Sequence, residues 1–174
     1  MDKRLKIIII ILILSVITII LYKYYNNKYD YNEKPNKYLN NITYKIPNSF
    51  EKDTYTYSIN YHYHENYVSC NFEVKYFENY NNYKNGEEYL KDNIRFTLND
   101  NISDIKEVSI NNNKWYLLEK ENNSYKNYYY ATIYNGIGYY MEYEIYDFDH
   151  GDHEGNSNFC NTSYDKIISS VKFK

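Results

Sequence analysis

Between Asp147 and Cys160 the chain reads DFDHGDHEGNSNFC, which packs Asp147, Asp149, His150, Asp152, His153 and Glu154 into eight positions. Imidazole with carboxylate is the donor set of zinc and copper sites, and carboxylate alone suits calcium. The candidate ligands are Asp149, His150, Asp152 and His153. The four histidines form two pairs, His62 with His64 and His150 with His153, and two such pairs could close one site. The spacing argues against calcium. An EF-hand-like loop needs glycine at its sixth position, and counting from Asp147 the fifth is Gly151 and the sixth is Asp152. His62 and His64 also project from the strand face opposite to Cys70, so a bridge through Cys70 would not bring the loop towards them. The expectation is a solvated, glycine-punctuated loop with no cofactor.

The two cysteines, Cys70 and Cys160, allow one intramolecular pairing. The alternatives are that disulfide or two free buried thiols, and an oxidising compartment favours the disulfide. Catalytic signatures are absent: nothing resembles G-x-S-x-G or H-E-x-x-H, and five glycines form no phosphate loop. Glu142 and Glu144 share a strand face, which reads as the ordinary solvated side of a hairpin. The expectation is a non-enzymatic protein. A net charge of −3 without a basic stripe excludes nucleic acid as a partner class.

The elements that position these residues follow a steep polarity gradient. Residues 1–22 hold Lys3, Arg4 and Lys6 and then an unbroken apolar run from Ile7 to Leu21. Fifteen helical residues rise about 22 Å, and flanking lysines and tyrosines extend the span towards the ~30 Å hydrocarbon core. No small-residue cleavage pattern follows. The segment reads as an uncleaved, single-pass signal anchor with a cytoplasmic N-terminus, and the rest of the chain extracytoplasmic. Residues 23–37 read as a polar tether, and residues 38–174 as one α+β domain.

Within that domain the dominant period is two. Thr54 to His64 alternates Tyr55, Tyr57, Ile59, Tyr61 and Tyr63 with polar residues. Val68, Cys70, Phe72, Val74 and Tyr76 do the same on the next strand. A turn at Glu65-Asn66 would set Tyr61 opposite Cys70 and Tyr63 opposite Val68. Asn135-Gly136 marks a hairpin with Tyr130, Thr132, Tyr134, Tyr139, Met141, Tyr143 and Ile145 on one face. Shorter strands are expected at 42–47, 105–110 and 115–120. Helices are expected over 85–99 and 161–171, each opening on polar, cap-forming residues. The fold class is a mainly antiparallel sheet of about six strands with two helices packed on it. The consecutive Tyr128, Tyr129 and Tyr130 cannot share one face: either a helix covers each side of the sheet or some rings are exposed. The 27 tyrosines overall also suit a genome rich in A and T codons.

The order of elements, from YKIPNSF through WYLLEK and YYYATIYNGIGYYMEYEI to IISSVKFK, resembles the sandwich of the Mog1 and PsbP-like proteins, which recurs in anchored bacterial domains. The resemblance covers residues 38–174. It implies a non-enzymatic accessory domain that docks onto larger assemblies, and it carries no site residue across. The function expected is docking to an envelope protein partner. The alternatives are a cell-wall glycan binder that uses exposed tyrosines, and a metal-dependent function at the His150–His153 loop.

Overall fold

The structure is a computed structural model, and it describes residues 3–28, 31–33, 39, 41–55, 57–65, 68–78, 82–97, 100–147 and 154–174. In chain order the elements are α1 (Lys3–Lys28), β1 (Tyr31–Glu33), β2 (Ile42–Thr43), β3 (Lys45–Pro47), β4 (Glu51–Thr54), β5 (Ser58–Glu65) and β6 (Val68–Glu78). There follow α2 (Gly86–Asn93), β7 (Asn101–Ile102), β8 (Lys106–Ile110), β9 (Asn113–Glu121), β10 (Tyr125–Tyr134), β11 (Ile137–Asp147), α3 (Glu154–Ser170) and β12 (Lys172–Phe173). Eight of the strands form one antiparallel sheet in the order β4-β5-β6-β11-β10-β9-β7, with β8 also paired to β9. The α+β class holds, with a wider sheet than expected.

Apolar alternation builds the core. On one face Tyr61, Phe72, Val74, Met141, Tyr143, Leu117 and Trp115 pack beneath α3, whose Ile167 is fully buried. On the other face Leu118, Tyr129, Ala131 and Tyr140 pack with Tyr89 and Leu90 of α2. A helix on each side resolves the tyrosine triplet: Tyr128 and Tyr130 turn towards α3, Tyr129 turns towards α2, and all three are buried. The ring of Tyr128 stacks on Tyr164 of α3 with centroids 4.0 Å apart. Two hairpins are closed by consecutive residues at positive φ, Asn135 (51°) with Gly136 (78°) and Asn111 (47°) with Asn112 (64°), the pattern that matches strand twist in a two-residue turn.

Several boundaries differ from the expectations, each for a tertiary reason. The strand expected over 54–64 breaks at Tyr55, whose N–H donates to the carbonyl of Ser58, so the chain reverses and β4 pairs with β5. In the β5–β6 pair Tyr63, not Tyr61, stands opposite Cys70, and Tyr61 opposes Phe72. That register is shifted by two residues, which leaves every side chain on its expected face. Helix α2 stops at Asn93, because Ile94 is extended (ψ 122°) and the chain beyond is held by the Asp100 carboxylate, which accepts the Thr97 N–H at 2.7 Å. Helix α3 begins at Glu154, before the cap-forming residues at 161–163. Phe159 and Cys160 are buried in its first half, and Phe159 packs on Tyr63 at 4.5 Å. Within the segment expected as a polar tether, α1 continues to Lys28 and β1 pairs with β3.

The expected membrane-crossing helix lacks support from the described residues. Among them, no helix is long and apolar enough to cross a membrane. Side chains of α1 are described over 11–23, a stretch of about 20 Å against the ~30 Å core.

Candidate functional site

Pairing register arranges side chains in rows across a sheet. On the α2 side one row reads Asn60, Glu73, Glu142, Tyr129 and Leu118, from β5 to β9. The next row reads His62, Asn71, Glu144, Asn127 and Lys120. α2 packs on β9 and β10, where the face is apolar. Towards β5, β6 and β11 it turns polar, and Asn60, His62, Asn71, Glu73, Glu142 and Glu144 are each partly open to solvent.

Asn127 joins the two rows. Only 4 % exposed, it directs Nδ2 to Glu144 Oε1 (2.9 Å) and to the Tyr129 hydroxyl (2.8 Å), with Glu142 Oε1 at 3.5 Å. The Tyr140 hydroxyl donates to Glu142 Oε2 at 2.6 Å. Asn71 Nδ2 and the Tyr146 hydroxyl each reach Glu144 at 3.3 Å. Lys75 supplies a positive charge, 3.7 Å from Glu73 Oε2 and 4.2 Å above the Tyr140 ring. Burial pushes the Glu142 carboxyl up to about 7. The Tyr140 hydrogen bond opposes this, while the neighbouring Glu144 and Glu73 add to it. Burial likewise raises the Tyr140 and Tyr129 hydroxyls, and takes Tyr146 to about 12. The amide oxygens of Asn60, Asn71 and Asn127 are buried, and no described donor reaches them.

The cluster is therefore rich in acceptors and short of donors. It can hold a proton or accept hydrogen bonds from a cation. The reading of Glu142 and Glu144 as an ordinary solvated face is corrected: β11 lies mid-sheet, paired along its whole length with β6 and along most of it with β10. The sequence held a signal for this. Carboxylates at Glu142 and Glu144 are flanked on the same face by Tyr140 and Tyr146.

The other candidate residues separate. Cys70 and Cys160 lie at disulfide-bonding distance with Cα atoms 5.8 Å apart, and both are fully buried, linking β6 to α3. Cys160 lies inside the helix rather than ahead of it. Asp149, His150, Asp152 and His153 lie outside the described residues. His62, on the face opposite to Cys70, sits 3.4 Å from Glu51 and 3.5 Å from Asp53 of the edge strand β4. Among the described residues no three histidine, cysteine or acidic side chains are placed to hold a metal ion. Asp100 serves the fold: besides Thr97 it accepts the Tyr125 hydroxyl and meets Lys120 at 3.2 Å, and these bonds hold its carboxyl far below the usual range.

No family model and no curated protein matches this chain. Among solved structures it is similar to a protein from Bacteroides thetaiotaomicron, with 13% sequence identity and a TM-score of 0.46. The match covers 76% of this chain and 45% of that one, so this chain spans less than half of that neighbour's length.

Proposed function

We propose that this protein is a membrane-anchored, extracytoplasmic docking domain that binds an envelope protein partner and catalyses nothing. The observation that carries this reading is the half-covered sheet. One helix closes one face, whereas on the other the β5–β6–β11 positions stay partly open and carry an organised set of polar side chains. An organised polar face on a rigid sheet suits recognition by a partner. The sandwich resemblance to the Mog1 and PsbP-like proteins points the same way, and the placement of α2 and α3 on opposite faces supports it.

The anchor is part of the proposal. From Ile11 to Tyr22 the large apolar side chains are 47% to 67% exposed, which is costly in water. The two hydroxyls in that stretch bond within the helix, Ser15 to the Leu12 carbonyl and Thr18 to the Leu14 carbonyl, both at 2.8 Å. Polar groups satisfied inside the helix are what an apolar solvent requires. The cysteine pair fits an oxidising compartment.

The test is crosslinking of the full-length chain in envelope membranes, followed by identification of what it captures. One envelope protein, captured saturably and competed by unlabelled chain, is the expected result. Recovery of none overturns the docking reading. A glycan-binding reading keeps one specific support: Tyr55 and Tyr57 at the β4–β5 turn are 57% and 64% exposed. It requires sedimentation of the chain with purified cell wall and loss of that binding in Y55A/Y57A.

A further inference from the structure

Within the docking face, the buried amide of Asn127 identifies what the partner must bring. Its Nδ2 is committed to Glu144 and Tyr129, while its Oδ1 is buried without a donor among the described residues. A buried acceptor left unpaired is costly, and its surroundings offer no remedy. The carboxyls of Glu142 and Glu144 lie against the Asn127 Nδ2. Asn71 Oδ1 and Asn60 Oδ1, on the neighbouring strands, likewise meet no donor among the described residues. Among the described residues, the ammonium of Lys75 is already engaged by Glu73 and the Tyr140 ring, and that of Lys120, opposite Asn127, by Asp100.

Charge and hydrogen-bond inventory point the same way. The one lysine in the two rows, Lys120, is drawn off to Asp100, and Lys75 in the next row is engaged by Glu73, so Glu144 and the shared Glu73 beside Glu142 leave the patch short of positive charge and attractive to a cation. Carboxylates in neighbouring rows present several oxygens to one guest. A guanidinium carries five N–H donors in a planar fork, enough to serve two carboxylates and an amide oxygen at once. An ammonium offers three donors from a single point. We propose that the Glu73–Glu142–Glu144 patch with Asn127 is the docking point for an arginine side chain of a protein partner. This rests on the docking reading and names the partner's chemistry.

The test uses the full-length chain in non-ionic detergent at low salt, by equilibrium dialysis against the end-blocked peptide GRGRG. The same peptide with citrulline in place of arginine is the control. Saturable binding of the arginine peptide is expected, with the citrulline peptide at least about tenfold weaker. E73Q and E144Q should each weaken binding by about tenfold. E107Q, which removes the same charge from β8, should leave it unchanged. Thermal melts establish that the variants fold. Should E144Q fail to do so, E73Q carries the test, since the Glu73 side chain is 27% exposed and easily replaced.

Unsaturable binding, equal affinity for the citrulline peptide, or an equal effect of E107Q overturns the site. The failures of the two proposals are distinct. Capture of an envelope protein that persists undiminished in E73Q and E144Q removes the site and leaves docking intact. Peptide binding with no captured protein leaves the site and removes docking.

Discussion

Glu142 of β11 stands directly opposite Glu73 of β6, and Glu144 follows two positions along the same face. Like charges set opposite one another across a strand pair destabilise a sheet, and burial adds a desolvation cost to ionising Glu142. The folded domain therefore holds a proton on Glu142 that the unfolded chain releases at ordinary acidic pH.

This gives stability a pH dependence of unusual sign. The groups facing Glu142 are Glu73 and Lys75 from β6, Tyr129 from β10, Tyr140 and Glu144 from its own strand, and Tyr89 from α2. With the folded pKa raised to about 7 from 4.5, the contribution is fully present below about 4.5 and is lost as pH rises through about 7. The loss is of order 3 kcal/mol at ~1.4 kcal/mol per pH unit. Thermal melting at pH 5 and pH 8 should show a lower Tm at pH 8, with the difference largely removed in E142Q. A wild-type Tm that rises over that range contradicts the assignment.

The Cys70–Cys160 link closes a loop with a sequence separation of 90. In the chain-entropy account such a loop contributes up to about 4–5 kcal/mol. Intact mass of the denatured, unreduced protein should lie two hydrogens below the reduced form. C70S/C160S should melt well below the wild type, and an unchanged Tm would show that the bridge contributes little.

Gly86, the first residue of α2, lies against β10, and a Cβ built there would meet the Ala131 carbonyl oxygen at 2.1 Å. The helix cannot approach the sheet this closely with a side chain at that position. G86A is expected to cost about 1–3 kcal/mol in chemical denaturation, as overpacking does. Wild-type stability would mean that α2 can lift from the sheet freely.

Asn111 does two tasks in one turn. Its backbone takes positive φ (47°), and its Nδ2 donates to the Ser169 carbonyl at 2.8 Å and the Val171 carbonyl at 2.7 Å at the end of α3. N111G keeps the turn and loses the two bonds, whereas N111A loses both features. The expected costs are about 1 kcal/mol for N111G and about 2 kcal/mol for N111A. Equal costs would mean that the backbone conformation contributes nothing.

Whereas the sequence left the two cysteines as either a bridge or two free thiols, residue alternation and turn chemistry were enough to place β6, β10 and β11, their buried faces and the Asn135-Gly136 hairpin. These depend on period-two patterning and on a turn whose positive φ values only a few residues tolerate, and both are local properties. Where α2 ends, where α3 begins and where the strand over 54–64 breaks were decided by contacts remote in sequence: Asp100 with Tyr125, Phe159 with Tyr63, and β4 with β5. The polar cluster belongs to that second class. In the sequence Glu142 and Glu144 differ from an ordinary solvated strand face only in the Tyr140 and Tyr146 that flank them. Only the order of strands, which sets β11 between β6 and β10, surrounds them with Glu73, Asn71 and Asn127 and so makes ionisation costly. A carboxyl's ionisation depends on what lies across the sheet, and strand neighbours distant in sequence are chosen by the fold as a whole.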